Sequence, residues 1–376
     1  MKTELTLHDR TLTLFRFPKR SNETLQAWDA GDEYLINHVE ELALPEKQNI
    51  LLLNDNFGAL SCWFSHQHSV TMLSDSFIAQ KATLQNLQRN QCNKVDFATS
   101  LDDLPQNIDL VLMQIPRNNR FLTWQLSQLR KVLPSNVPVI AVNKAKEIHS
   151  STLKLFEKHL GETSTSLAWK KHRLVFSFAN SAQTSEVEPF TTWPVDEHPI
   201  QLKNLPNVYS GETLDQGARF ILKHLPQRDD AFKAIDLGCG NGVLSVKLAQ
   251  LNPLISLTSV DESHMAVASA KQNIIDNVGN DIDFHCVANN CLDGFPANET
   301  DMVVCNPPFH QQQAITDHIA WQMFCDAKHV LSTGGQLLVI GNRHLGYDVK
   351  LARLFGKSQV KVVDANKKFV ILQATK

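Results

Sequence analysis

The amino-acid sequence predicts an α/β protein of two tandem Rossmann-like domains, each a mostly parallel seven-stranded sheet, the N-terminal one a degenerate copy of the other. Three observations carry this. Short β-branched runs alternate with helical patterns in both halves of the chain, as parallel α/β folds require. A glycine-rich stretch, Asp236-Leu237-Gly238-Cys239-Gly240-Asn241-Gly242, sits where one such strand gives way to a helix. Three blocks of the first half recur, in the same order, in the second.

At 376 residues the chain is too long for one typical domain and comfortable for two. Hydrophobic residues make up 43% and charged residues 20%, enough apolar material for two cores. Met1-Lys2-Thr3-Glu4-Leu5 leads into no apolar run, and no stretch reaches the roughly 18 apolar residues of a membrane span; the expected compartment is the cytoplasm. Seven cysteines without a C-x-x-C pair speak against a zinc site or a disulfide framework, so no metal is expected. The net charge of −3 points away from nucleic acid, but its distribution does not. Between Arg117 and Arg173 lie eleven Lys or Arg against three acids, Glu147, Glu157 and Glu162. Such an excess suits a phosphate-binding face; the alternative is a pair of solvated helix faces.

The elements follow in order. Residues 1–180 form the first domain, and 181–205, with proline, Ser and Thr but no helical periodicity, reads as an interdomain linker. Residues 206–376 form the second domain, opening with a helix over Leu214–Leu225. A strand over Lys233–Leu237 enters the glycine turn, and a helix over Val243–Gln250 leaves it. A second strand, Ser256–Val260, ends on Asp261, before a helix from Ser263 to Asn277. Strands over Phe284–Ala288 and Asp301–Cys305 follow, the latter delivering Asn306. A helix over Trp321–Val330 ends near Gly334-Gly335; a strand over Gln336–Ile340 and two more around a turn at Asn366 complete the domain.

The repeat aligns Ile50–Ser61 with Ala234–Ser245, 71–87 with 258–274, and 109–117 with 301–309. Leu53, Gly58, Leu60 and Ser61 match Leu237, Gly242, Leu244 and Ser245, and Gln85-Asn86 matches Gln272-Asn273. The first copy has lost other residues. Asn54 and Asn56 replace Gly238 and Gly240, Ser74 replaces Asp261, and Gln114-Ile115-Pro116-Arg117 replaces Asn306-Pro307-Pro308-Phe309. A Cβ at the first two positions obstructs close approach of a ligand.

Chemistry therefore concentrates in the second copy. The D-x-G-x-G-x-G turn lets backbone approach a ligand, and Asp261, 23 residues past Gly238, stands where a carboxylate meets ribose hydroxyls. No pyrophosphate pattern is present, which favours S-adenosylmethionine over a dinucleotide. A tight turn without ligand and a solvated strand-end acid are the bland alternatives. Asn290, with Asn289, follows the third strand where an adenine lies; a polar loop is the alternative. In Asn306-Pro307-Pro308-Phe309 two prolines hold the backbone so that the Asn carboxamide oxygen and a main-chain carbonyl point into one pocket. Two acceptors together suit an amine on a flat π system, and Phe309 supplies a stacking face. Positioning then carries most of the catalysis. His310 through Gln313 form a rim, Tyr209-Ser210-Gly211 and Asp215-Gln216-Gly217 a covering segment, and Cys239, Cys286, Cys291 and Cys305 are packed thiols.

With DLGCGNG, VD and NPPF in this order, the C-terminal half resembles class I methyltransferases acting on exocyclic amines. The whole chain is similar to the ribosomal RNA guanine-N(2) methyltransferases, in which a degenerate methyltransferase-like domain precedes an active one. LQAWDAGDEYLI (25–36) and NPPFHQQQAITD (306–317) look most like the large-subunit branch, which modifies 23S rRNA. The resemblance implies that Asp236, Gly238, Gly240 and Gly242 form the cofactor turn, Asp261 binds ribose, and Asn306 with Pro307 holds the guanine amine. It implies an RNA anchor at Arg117, Arg120, Lys144, Lys170, Lys171 and Arg173, a free or protein-depleted 23S substrate, and a monomer. The rivals are a 16S guanine-N2 enzyme, an adenine or protein-glutamine methyltransferase, and a non-catalytic RNA-binding assembly factor with a vestigial fold.

Overall fold

The structure, a computed structural model, describes residues 2–20, 23–180, 187–308 and 313–376, the side chains of 313–317 excepted. Two compact units divide the chain at Pro189 and Phe190.

The first unit begins with a hairpin, β1 (Glu4–Leu7) and β2 (Arg10–Thr13). Then follow α1 (Ala30–Glu41), β3 (Asn49–Leu53), α2 (Ala59–Phe64), β4 (Ser69–Ser74), α3 (Phe77–Arg89), β5 (Val95–Thr99) and β6 (Leu110–Gln114). The unit closes with α4 (Asn119–Val132), β7 (Pro138–Lys144), α5 (Ser150–His159), β8 (Thr163–Thr165) and β9 (His172–Phe178). The sheet order is β5-β4-β3-β6-β7-β9-β8, parallel except for β9, which is antiparallel to both neighbours.

The second unit opens with a hairpin, β10 (Thr191–Pro194) and β11 (Gln201–Asn204), then α6 (Gln216–Ile221), β12 (Phe232–Leu237), α7 (Val243–Leu251), β13 (Ile255–Asp261) and α8 (His264–Val278). After these come β14 (Asp283–Ala288), β15 (Thr300–Cys305), α9 (Gln313–Val330), β16 (Leu331–Asn342), α10 (Tyr347–Phe355), β17 (Val360–Ala365) and β18 (Phe369–Thr375). Its order, β14-β13-β12-β15-β16-β18-β17, repeats the first sheet strand for strand, with β18 antiparallel.

The central strands read as near-continuous apolar runs because both faces are covered. Ile50, Leu52, Leu110 and Leu112 enter one core layer, while Leu51, Leu53, Val111 and Met113 enter the other. In the second sheet Ala234 and Val304 lie on one side, with Ile235, Leu237, Val303 and Cys305 on the opposite one. Register confirms the repeat: Leu53 pairs with Met113 as Leu237 pairs with Cys305, so Gln114 and Asn306 are equivalent strand tips.

The linker expectation needs correction. The second unit begins at Phe190, and residues 191–204 are its β10–β11 hairpin, with Val195, Ile200 and Leu202 in its core. The stretch hides its pattern because it docks through side-chain amides. Asn277 bonds both backbone groups of Gln201, and Asn273, one helical turn earlier, bonds those of Lys203, all at 2.8–2.9 Å. In the first unit Asn90 and Asn86 do the same for Thr13 and Phe15. The asparagine of the Gln-Asn pair shared by the two copies, with a second asparagine four residues on, is thus a docking device that stands in for a strand. Two further bounds shift: the helix placed at Trp321–Val330 starts at Gln313, and Gly334-Gly335 lie inside β16, beside a register shift between Thr300 and Met302.

Candidate functional site

The glycine turn leaves the tip of the central strand β12 and is stitched to β13. Gly238 and Cys239 donate their N–H groups to Val260 O at 2.8 and 3.0 Å. Gly240 N–H donates to Asp261 Oδ2 at 2.9 Å, and Ser263 N–H to Asp261 Oδ1 at 3.0 Å. The carboxylate at the tip of β13 is therefore held against the turn; at the same place in the first unit Ser74 Oγ accepts from Ser76 N–H at 3.1 Å, the counterpart of the bond from Ser263.

All three glycines have left-handed φ, +77°, +52° and +77°, but they do different work. A Cβ at Gly240 would meet nothing within 4 Å, so its side opens to free space. A Cβ at Gly238 would lie 3.1 Å from Met323 Cε, the far end of a flexible side chain. At Gly242 it would lie 2.8 Å from both Cα and Cβ of Ala270, because this residue caps α7 where that helix crosses α8. Gly58 in the first unit caps α2 and faces Thr83 Cα at the same 2.8 Å, which explains why this glycine is shared while the other two are not.

Asp236 sits behind the turn with no exposure. Its Oδ2 accepts from Ser245 N at 3.1 Å and Ser245 Oγ at 2.6 Å, tying β12 to α7, and burial pushes its carboxyl up to about 7. In the first unit the buried acid is Asp55, three residues further along, yet it accepts from Ser61, the equivalent of Ser245. Burial likewise pushes the thiols of Cys239, Cys286, Cys291 and Cys305 up, away from nucleophilic chemistry. Asn290 is buried and spends its Nδ2 on Asp293 Oδ2 at 2.7 Å.

Beyond the tip of β15, Pro307 is buried and Pro308 exposed; Phe309 to Gln312 and the Gln313 side chain lie outside the described residues. Asn306 donates its Nδ2 to Asp215 Oδ2 at 3.3 Å, and its Oδ1 is buried without a hydrogen-bond partner. An unmatched buried acceptor costs roughly 1–3 kcal/mol. Asp215 also caps α6 through Ala218 N–H at 2.9 Å and accepts from Tyr209 OH at 3.3 Å. Its contact with Asn306 escapes sequence reasoning, although Asp29-Ala30-Gly31 and Asp215-Gln216-Gly217 repeat as a further matching block.

The chain covers whole proteins on comparison. Residues 2–181 match the family described as the RLMG N-terminal domain, and 199–373 the methyltransferase small domain. Ribosomal RNA large subunit methyltransferase G of Vibrio campbellii is 70% identical over 376 residues, covering 100% of this chain and 98% of its own. The chain belongs to the ribosomal RNA large subunit methyltransferase G family. The relative of that name in Aliivibrio fischeri is 64% identical over 377 residues, covering 100% of this chain and 99% of its own. As a member, the chain is a methyltransferase with S-adenosylmethionine as its cofactor. In fold it is similar over its full length to the T. thermophilus 16S rRNA N2 methyltransferase, solved with AdoMet and guanosine. That likeness has a TM-score of 0.80, 18% identity, and covers 100% of this chain and 97% of that one.

The residues at the carboxyl ends of the second sheet fit that cofactor: an open glycine and a tethered strand-end carboxylate. A hollow of about 600 Å³ between α6 and the β17–β18 turn, lined by Arg219, Lys223, His224 and Lys368, includes none of them, and Arg219 and Lys223 are paired there with Asp196 and Glu197.

In the first unit the matching place is filled. Asn54 Nδ2 donates to Gln114 O at 2.9 Å and to Gln125 Oε1 at 3.0 Å, and Gln125 Nε2 returns a bond to Asn54 Oδ1 at 2.9 Å. Asn56 Nδ2 donates to Gln114 Oε1, and Gln114 Nε2 donates to the buried Asp32.

The basic candidates divide. Strand pairing sets Lys144 against His172 and Asn143 against Arg173, and Ala145 N–H donates to Lys171 O at 2.8 Å. Lys170 and Lys171 form the tip of a two-residue turn, both with left-handed φ, and Lys170 bonds Glu33 at 2.7 Å and lies 4.4 Å over the Trp169 ring. Arg117 follows β6 and Arg120 lies in the first turn of α4, so these six share the carboxyl end of the sheet. Arg130 instead is buried against Lys158 O at 3.1 Å and belongs to the fold. Among the described residues no helix is long and apolar enough to cross a membrane.

Proposed function

We propose that this chain methylates the exocyclic N2 amine of a guanine in 23S ribosomal RNA, acting as a monomer on free or protein-depleted RNA in the cytoplasm. The observation that carries the proposal is the buried, unpartnered Oδ1 of Asn306 at the tip of β15, beside the glycine turn. S-adenosylmethionine, when bound, supplies an electrophilic methyl group. Gly238 and Gly240 let the backbone approach it, Asp261 accepts from ribose hydroxyls, and Asn290 contacts adenine through its Oδ1. Gly242 and Asp236 support the turn from behind.

Asn306 Oδ1 and the carbonyl of Pro307 accept the two N–H bonds of the amine, which turns its lone pair out of the ring plane toward the methyl. Pro307 and Pro308 hold that geometry by fixing φ, and Phe309 stacks on the base. The proton leaves after attack, so a strong base is unnecessary. Arg117, Arg120, Lys144, Lys170, Lys171 and Arg173 anchor phosphates on the first unit. Support for the large-subunit substrate comes from the names of relatives sharing 64–70% of their residues with this chain. Nucleoside mass analysis of 23S rRNA from a deletion strain tests the reading: one N2-methylguanosine is lost and returns on complementation. Unchanged N2-methylguanosine refutes it.

A further inference from the structure

We infer that Asp215 is a positioning residue that sets which face of the Asn306 carboxamide meets the substrate. A carboxamide is nearly symmetric in shape and presents either an acceptor or a donor depending on one 180° turn about χ2. Methylation of an amine requires the acceptor. Asp215 Oδ2 lies 3.3 Å from Asn306 Nδ2, and an ionised carboxylate only accepts, so it takes the NH2 end and leaves Oδ1 facing away. The flipped rotamer would set two acceptors against each other and aim a donor at the amine. The negative charge also polarises the amide, making Oδ1 the stronger acceptor.

The first unit is an internal control. Gln114 stands in the place of Asn306, and its NH2 end also faces a carboxylate at the start of the matching helix α1, although from Asp32, three residues past Asp29, the counterpart of the N-cap Asp215. Its oxygen is quenched by Asn56, which occupies the position of Gly240. The acid-to-amide pairing persists in both units, and the free oxygen exists only in the second.

This inference rests on the proposed role of Asn306, and the test separates the two. Serine and asparagine cap helices about as well as aspartate, so D215S and D215N both keep the bond to Ala218 N–H. Serine is too short to reach Asn306; asparagine offers one oxygen that serves both contacts. The expected result is that D215S binds S-adenosylmethionine within threefold of wild type, melts within a few degrees of it, and loses at least tenfold in kcat on 23S rRNA transcript. D215N restores kcat to within about threefold. If D215S keeps kcat within twofold, or if D215N falls as far as D215S, Asp215 is a cap alone and the inference is overturned. An N306A enzyme that transfers methyl groups within about tenfold of the wild-type rate would overturn the reading of Asn306 itself, a separate outcome.

Discussion

Gly240→Ala and Gly242→Ala separate the two jobs of the glycine turn. Both positions lie in the left-handed region, at φ +52° and +77°, where an L side chain costs ~1–2 kcal/mol. At Gly240 the added methyl meets nothing within 4 Å, so that cost stands alone. At Gly242 it meets the body of α8 at 2.8 Å, Cα and Cβ of Ala270, and neither atom can swing aside. Overpacking there adds ~1–3 kcal/mol, for a total of ~2–5 kcal/mol. Urea denaturation should therefore rank G242A well below G240A in stability. Titration calorimetry with S-adenosylmethionine should reverse the order, with G240A losing at least tenfold in affinity and folded G242A staying within threefold of wild type. G240A that binds as tightly as wild type would refute the assignment of the open side of the turn to the cofactor. Equal stability of the two variants would refute the packing role of Gly242.

Other expectations follow from the same geometry. Asn306→Ala removes one oriented acceptor and should lower transfer by about 10²–10³-fold with cofactor affinity nearly intact; equal loss of both sinks the role. Asp236 holds its proton more tightly folded, at about 7, than unfolded, so its contribution to stability is present below pH ~4 and lost as pH rises through ~7, about 4 kcal/mol in all. Asp236→Asn should thus gain on wild type between pH 5 and pH 8 in parallel denaturation curves, and a constant difference would contradict the shift. Reversing Lys170 and Lys171 to Glu should flatten the salt dependence of RNA binding by roughly 1.4 in log–log slope; an unchanged slope returns both to the solvated surface. Because Asn54, Asn56 and Gln114 satisfy one another, calorimetry should find one cofactor site per chain, not two.

Both sheets and the equivalence of Gln114 with Asn306 were legible in the sequence, because two-sided burial writes unbroken apolar runs and the repeat supplies its own alignment. Residues 191–204 were not, because the hairpin is fastened by Asn273 and Asn277, some 70 residues away, and proline and Ser/Thr content reads as a linker. The glycines looked alike on paper. Only their neighbours in space distinguish the open side of Gly240 from the helix crossing at Gly242. Asp215 was visible as part of a covering segment, but its contact with Asn306 spans 91 positions and leaves no local pattern.

The amide cluster of the first unit behaves as a ratchet. Each of Asn54, Asn56, Gln114 and Asp32 is the hydrogen-bond partner of another member. Returning Asn56 alone to glycine strips Gln114 Oε1 of its donor, at about 1 kcal/mol or more, without creating a usable pocket, since Asn54 and Gln125 remain in place. That single reversion is therefore downhill in stability and neutral in activity. With those amides closed on one another, reopening a pocket there takes several substitutions made together.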